Sequence, residues 1–140
     1  GMDLEGFSAP HDRMGGRRFG NATIWRWQQG GLNFAHLGGT AAPLSGEDRV
    51  LLGRPDVLII GVGGGGKVYS GEEAADVVRQ LNPRRVIPVQ YVNGEAPSGC
   101  DQGGVQPFLD AMSGTQVRKV GPTLSLPGSL NDSTVIEVMR

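Results

Sequence analysis

Residues 55–91 read PDVLIIGVGGGGKVYSGEEAADVVRQLNPRRVIPVQY, and this stretch decides the fold. The apolar run at 57–60 is typical of a strand that is covered on both faces. Ser70 and Glu73 form a capping box, and the apolar residues that follow recur on one helical face until an Asn-Pro pair ends the helix. Residues 86–91 return as a second strand. The pattern predicts a βαβ unit with parallel strands and a right-handed crossover.

Weaker patterns on both sides of this unit predict shorter elements. Alternating apolar residues around a turn indicate a hairpin, Ser45 begins a second capping box, and Gly or Pro separates three short strands. The expected hairpin strands lie at 21–27 and 32–37, the helices at 47–52 and 107–112, and the short strands at 117–120, 123–126 and 134–138. The fold class is therefore α/β, with a mixed sheet and flanking helices.

Length and composition favour one small domain of a cytoplasmic protein. The chain has 140 residues and a net charge of -1, and we expect a single domain over residues 2–140, with Gly1 left from an expression tag. Interspersed charges speak against nucleic acid as a partner, and no apolar run is long enough for a membrane span or a signal peptide. Cys100 is the only cysteine, which excludes an internal disulfide and indicates a reducing compartment.

Candidate metal ligands are few. His11 and His36 are the only histidines, and a catalytic zinc needs three protein ligands and one open position. With Cys100 they supply three ligands only if the fold brings them together. His36 shares an apolar strand face with Leu32 and Phe34, so we expect a core or interface histidine. Cys100 lies in a loop rich in Gly and Ser, where nothing indicates a nucleophile.

The glycine-rich segment after the first buried strand matches part of a phosphate-binding loop. Gly61, Gly66 and Lys67 have the required spacing, but Val68 stands where a Ser or Thr should hold magnesium. The helix cap is displaced to Ser70, so the lysine does not begin the helix. A tight loop that needs bare backbone is the competing interpretation, and it is favoured.

Aromatic and basic pairs elsewhere suggest packing or solvation rather than a binding site. Trp25 and Trp27 share one strand face, and we expect them to pack in the core or at an interface rather than to stack on bases. Two basic clusters are expected to be solvated loop ends. They comprise Arg13, Arg17 and Arg18, and Arg84 and Arg85.

Eight stretches, taken in order, carry a family resemblance that no single one would. They are PHD at 10–12, GG at 15–16, GNATI at 20–24, GLNFAHLG at 31–38, PDVLII at 55–60, VGG at 62–64, EAA at 73–75 and PRRVIPVQY at 83–91. Together they resemble the carboxyl-terminal half of the metallo-β-lactamase-fold hydrolases. The branch they resemble is that of bacterial metal-dependent hydrolases related to the ascorbate-lactonase group.

This resemblance implies half of a four-layer αββα sandwich whose metal ions lie between two sheets. The family's H-x-H-x-D-H motif belongs to its amino-terminal half and is absent from this sequence. By resemblance, His11 occupies a retained ligand position. The ligand aspartate falls on Gly39, which has no side chain, and the last ligand histidine falls on Gln90, whose amide is a poor zinc ligand. The resemblance therefore implies a hydrolase family and a non-catalytic member that needs no cofactor.

Three hypotheses follow. The first is a structural or binding protein whose uncovered sheet face pairs with a second copy in a homodimer, or with a separate amino-terminal half. The second is an active hydrolase that binds zinc or another divalent metal through His11, Asp12 and His36, or through ligands pooled across an oligomer. The third is a binder of phosphate ligands through the loop from Gly61 to Lys67.

Overall fold

The computed structural model of this chain describes residues 4–93 and 98–139. A seven-stranded sheet forms its centre, with the strands in the order β1-β2-β3-β4-β5-β7-β6. The strands are β1 (Leu4–Pro10), β2 (Asn21–Gln29), β3 (Leu32–His36), β4 (Val57–Gly61), β5 (Arg85–Val89), β6 (Gln116–Lys119) and β7 (Val135–Val138). The helices are α1 (Gly46–Leu52), α2 (Gly71–Leu81) and α3 (Gln106–Ala111). The expected α/β class with a mixed sheet is confirmed.

The βαβ unit predicted from residues 55–91 is confirmed. β4 and β5 pair in parallel, from Val57 opposite Arg85 to Gly61 opposite Val89. The Ser70 side chain accepts from the Glu73 backbone N–H and the Glu73 carboxylate accepts from the Ser70 N–H, so both halves of the capping box form. The apolar face of α2 is buried and consists of Ala74, Ala75, Val77, Val78 and Leu81.

The predicted hairpin joins β2 and β3 and is confirmed. Gly30 and Gly31 make the turn with φ of 58° and 81°, which glycine adopts without strain. β1 and β3 run antiparallel to β2, and β3, β4, β5 and β7 then run in parallel. The carboxyl ends of β1, β3, β4 and β5 therefore meet at one edge of the sheet, here called the carboxyl edge.

One face of the sheet carries the core. Five strands each place an apolar side chain on this face, and each of these side chains is at most 1% exposed. They are Ile24, Ala35, Leu58, Val86 and Ile136. Apolar side chains of all three helices join the same buried cluster, among them Leu52 of α1, residues of α2 and Phe108 of α3. None of the helices among the described residues is long and apolar enough to cross a membrane.

The opposite face, here called the open face, is covered less completely. Trp25, His36, Ile59 and Ile87 are successive cross-strand neighbours along this face, and none of them is buried. Trp25 is 39% exposed, which is unusual for so large an apolar ring. The helices lie on the other side of the sheet, so this row of side chains has no helix above it in the described part of the chain.

One predicted strand does not form, and one strand was not predicted. Residues 123–126 form no strand, although Leu124 and Leu126 alternate with polar residues. Just after this segment, the chain reaches the β2–β3 turn at Gly128, whose carbonyl oxygen would lie 3.4 Å from a Cβ on Gly31. β1 was not predicted, because Gly and Ser interrupt its apolar pattern. The Trp25 indole covers Gly6 of β1, and a Cβ there would lie 2.6 Å from the ring.

The first residues of α1 and α2 offer a test of close helix packing. A Cβ on Gly71 would meet the backbone of Pro107 and Phe108 in α3, whereas a Cβ on Gly46 would meet nothing within 4 Å. Because backbone cannot yield as a side chain can, we expect Gly71→Ala to lower the free energy of unfolding by about 2 kcal/mol. Gly46→Ala, the matched control, should leave it unchanged or raise it by about 0.5 kcal/mol. Urea denaturation followed by tryptophan fluorescence measures both, and equal effects would contradict the close approach.

Candidate functional site at the carboxyl edge

The carboxyl edge gathers the positions that the sequence resemblance assigns to metal ligands. His11 follows β1 directly, Gly39 lies three residues beyond β3, and Gln90 follows β5. The glycine-rich loop that begins at Gly61 leaves the end of β4 between them. Parallel strands place their following loops on one side of the sheet, where ligands of such folds normally bind.

His11 and Gly39 are direct neighbours. A Cβ built on Gly39 would lie 2.6 Å from Cε1 and 3.3 Å from Nε2 of the His11 imidazole. The ring therefore occupies the space that any side chain at position 39 would need. The Nδ1 atom of His11 is buried and has no hydrogen-bond partner within the described residues. His11 thus offers one metal-ligating side chain, and Gly39 beside it has no side chain to offer a second.

Gln90 has a left-handed backbone conformation, and its side chain lies over Gly61. Its φ is 52°, in the left-handed region, which costs a residue other than glycine about 1 kcal/mol. Its Oε1 lies 2.5 Å from where a Cβ on Gly61 would stand, and its carbonyl oxygen crowds the same position on Gly63. Glycine is required at position 63, where the obstacle is backbone, whereas the Gln90 side chain over Gly61 can rotate away.

His36 is held as a packing residue. Its Nδ1 accepts a hydrogen bond from the Gly38 backbone N–H at 2.9 Å. Burial lowers the pKa of the His36 imidazole below its ordinary value of 6.5. It lies beside Trp25 on the open face, and an interface role for it stays a prediction.

Asp12 organises the loop between β1 and β2. Its carboxylate accepts from the backbone N–H groups of Met14 at 2.8 Å, Gly16 and Arg18 at 3.0 Å, and Phe19 at 2.6 Å. Burial alone would raise the pKa of Asp12, but these four donors outweigh it and bring that pKa below 3.8. Both oxygens are committed to the loop. Binding a metal through this carboxylate would therefore break the hydrogen bonds that hold the loop.

Arg13 links that loop to the glycine-rich loop and to α2. It donates through Nε and Nη2 to the two Glu73 oxygens at 2.7 and 2.6 Å, and through Nη1 and Nη2 to the carbonyls of Gly65 and Val68 at 2.7 and 3.0 Å. The pKa of the Glu73 carboxyl falls to about 2, chiefly through these bonds from Arg13. The expectation of a solvated loop end was wrong for Arg13, because a single sequence does not show its partner 60 residues away.

The same expectation was wrong for the second basic pair. Arg84 donates to Asp56 at 2.9 Å and to Asp132 at 3.1 Å, tying the start of β5 to two loops. Arg85 is 12% exposed and lies 3.5 Å from Glu137, which is fully buried. Both arginines are structural, because each is held by a carboxylate distant in sequence.

The glycine-rich loop does not form the phosphate-loop geometry that its spacing suggests. α2 begins at Gly71, so Lys67 precedes the helix by a full turn. Val68 is buried where a metal-binding hydroxyl would be needed. The Gly66 N–H donates to the Asp101 carboxylate at 3.1 Å, and the Lys67 ammonium lies 4.9 Å from the centre of the Phe19 ring. Nucleotide binding of the usual kind is therefore not supported by the geometry.

The two tryptophans differ in their environments. Trp27 stacks on Phe34 with ring centres 5.2 Å apart and planes at 8°, as expected for packing. Trp25 covers Gly6 yet remains partly exposed on the open face. An interface position for Trp25 stays a prediction.

The side chains at the carboxyl edge do not fit a catalytic zinc. Across residues 4–93 and 98–139, no three His, Cys, Asp or Glu side chains lie close enough to share an ion. A catalytic zinc needs three such ligands, and one histidine beside a glycine and an amide does not supply them. Cys100 is exposed and belongs to no such group.

Comparisons with known proteins agree on one superfamily. A family model described as a beta-lactamase superfamily domain matches residues 1–90. The fold is similar to a Thermotoga maritima protein described as a Zn-dependent hydrolase of the metallo-beta-lactamase superfamily, with a TM-score of 0.77 and 23% identity over 100% of this chain and 66% of that one. No curated protein sequence matches at significant similarity.

Two further structures share the fold at lower similarity. A Parabacteroides distasonis protein described as a metal-dependent hydrolase has a TM-score of 0.60 and 18% identity, over 81% of this chain and 47% of that one. An isothiocyanate hydrolase from Delia radicum gut bacteria has a TM-score of 0.57 and 12% identity, over 97% and 52%. The chain therefore spans only part of the length of each of the three structures.

The Arg13–Glu73 pair predicts a pH-dependent loss of stability. The pKa of Glu73 is about 2 in the folded chain and 4.5 ordinarily, so its stabilising effect is complete above pH 4.5 and disappears as the pH falls through about 2. Because the pair is about one-third exposed, we expect it to contribute about 1 kcal/mol at pH 7. Glu73→Gln should lose that amount at pH 7 and only a small part of it at pH 2. Glu72→Gln is the control in urea titrations at several pH values, and a difference that persists at pH 2 would contradict the assignment.

Proposed function

The chain belongs to the beta-lactamase superfamily, and from this premise we propose that it is a member without a working metal centre, acting as a structural or binding layer rather than as a hydrolase. The observation that carries the proposal is the neighbourhood of His11 and Gly39. The imidazole lies in the space that a ligand side chain at position 39 would take. A metal held there would have one protein ligand from this pair instead of two.

Gln90 supports the same proposal independently. Its amide is turned over Gly61, 2.5 Å from a Cβ position there. Amide groups are weak ligands for zinc in comparison with imidazole. Water activation requires a metal held with an open position, so neither the metal nor the nucleophile has a basis in these residues.

The open face supports a partner as part of the proposal. Trp25, His36, Ile59 and Ile87 form a partly exposed row, and the chain spans 66% of the Thermotoga maritima structure. A partly exposed apolar sheet face is normally buried against another layer. We favour a homodimer in which two open faces pack together. A separate amino-terminal half that supplies the second layer is the alternative.

An active hydrolase with ligands pooled across an oligomer or a partner chain is the competing function. It would place zinc or another divalent metal at His11 and complete the site with side chains from outside this chain. The ascorbate-lactonase branch and a cytoplasmic location remain predictions from sequence.

Metal analysis separates these two functions. We expect protein purified without chelator to contain below about a tenth of an equivalent of zinc, manganese or iron, because a single imidazole holds such ions weakly. The double variant Gly39→Asp, Gln90→His adds a carboxylate at position 39 and an imidazole at position 90. The His11 ring must rotate away from position 39 to admit the new side chain, and the variant should then take up cobalt with a visible absorption band. A full equivalent of metal in the unaltered chain that is lost on His11→Ala would overturn the proposal and favour the active hydrolase.

Oligomeric mass tests the open face. Light scattering after size-exclusion chromatography should give twice the chain mass, and Trp25→Glu should give a monomer because it places a charge in the dry interface. Val50→Glu is the control, since Val50 is 81% exposed on α1, on the opposite side of the sheet. A monomeric mass for the unaltered chain at micromolar concentration would contradict the proposed homodimer. Dissociation by Val50→Glu alone would place the interface elsewhere.

A further inference from the structure

The glycine-rich loop presents bare backbone to a carboxylate of its own chain. We propose that Gly65, Gly66, Lys67 and Arg18 form a binding site for a small phosphate-type oxyanion, and that Asp101 occupies this site as an internal competitor. The ligand class is inorganic phosphate or a phosphomonoester. The inference does not depend on the absence of a metal centre, because none of these residues stands at a presumed ligand position.

The carboxylate lies directly on the loop. Asp101 Oδ2 accepts from the Gly66 N–H at 3.1 Å, and a Cβ on Gly65 would lie 2.6 Å from that oxygen and 2.7 Å from Cγ. Gly65 has a φ of 84°, so glycine is needed both for the conformation and for the approach. The space that a side chain at position 65 would fill is thus occupied by an oxyanion group.

Arg13 makes the Gly66 N–H a better donor. Its Nη1 donates to the Gly65 carbonyl at 2.7 Å, and that carbonyl belongs to the same peptide group as the Gly66 N–H. A cation on the carbonyl side and an anion on the N–H side polarise the peptide in one direction, which strengthens both bonds. The arginine therefore acts on the anion through the backbone and need not touch it.

Two further cations stand beside the loop. The Arg18 guanidinium and the Lys67 ammonium lie 4.8 and 4.9 Å from the centre of the Phe19 ring, and that ring packs on Gly66, 2.7 Å from a Cβ position there. Within residues 4–93 and 98–139, neither cation has a carboxylate at ion-pair distance. Asp101 is among the described carboxylates that do not reach either cation, so within this part of the chain both positive charges beside the loop are unpaired. A phosphate dianion has the charge and the additional oxygens to match both cations.

The occupant can leave without unfolding its segment. Asp101 is exposed, and its neighbours are tied to the edge through backbone bonds from Gly103 N–H to the Gly63 carbonyl at 2.7 Å and from Val92 N–H to the Gly103 carbonyl at 2.8 Å. Rotation of one side chain therefore opens the site while the loop stays in place. Because α2 begins only at Gly71, the site lacks the helix terminus of nucleotide-binding loops, and nothing in it selects a base.

Phosphate binding to the full chain tests this inference. Inorganic phosphate, titrated against chloride at equal ionic strength, should broaden its own ³¹P resonance and raise the melting temperature slightly for the unaltered chain. Asp101→Ser should tighten phosphate binding about tenfold, because it removes a competing like charge. Asp110→Ser makes the same change of net charge on α3 and should leave the affinity unaltered. Adding Lys67→Ala to Asp101→Ser should abolish the tightening.

The outcomes decide between a binding site and a structural clasp. If Asp101→Ser folds and shows no stabilisation by phosphate beyond that by chloride, the carboxylate is a clasp and the proposal fails. If Asp101→Ser does not fold, Lys67→Ala in the otherwise unaltered chain still decides, since unchanged ³¹P broadening there would refute the site. Phenyl phosphate in place of phosphate distinguishes the two sources, and binding of either one at this site supports the proposal.

Discussion

The packing of α2 on the central pair of parallel strands holds the rest of this structure in place. Its apolar face meets residues of β4 and β5 that are fully buried, such as Leu58, Ile60 and Val86. Because α2 connects these parallel strands, the crossover commits α2 to one side of the sheet, and side chains of α1 and α3 join the same buried cluster. Two consequences follow together. The carboxyl ends of the strands meet at one edge, and the opposite face is left without a helix.

At the carboxyl edge, glycines and side chains are complementary. The His11 ring takes the space beside Gly39, Gln90 takes the space over Gly61, and the Asp101 carboxylate takes the space on Gly65. Each glycine matters through its absent Cβ, and each neighbour is a polar group. The edge is thus closed by its own side chains, although its architecture is one that receives ligands in related folds. The edge therefore lies where a ligand would bind, but its described side chains do not include the three ligands that a catalytic metal needs.

Long-range ion pairs give the loops their positions. Arg13 binds Glu73, Arg84 binds Asp56 and Asp132, and Asp12 gathers the N–H groups of its own loop. These pairs are partly exposed and individually modest in energy. Their effect lies in geometry, because they hold segments that have no regular secondary structure against the edge of the sheet. The same pairs explain why Arg13 and Arg84, which the sequence suggested were solvated, are structural.

Local pattern was sufficient for much of the fold. The apolar run at 57–60, the capping boxes at Ser45 and Ser70 and the turn at Gly30-Gly31 depend on near neighbours in sequence, so the βαβ unit, the helices and the hairpin could be predicted from it. Contacts between distant residues could not. β1 became a strand by pairing with β2, where Trp25 covers Gly6. Residues 123–126 found no strand partner, and Arg13 met a carboxylate 60 residues further on. The sequence alone determined which residue types stand at positions 11, 39 and 90. Only the tertiary structure decided which groups fill the space around them, because the absence of a Cβ matters only when the group that lies against that position is known.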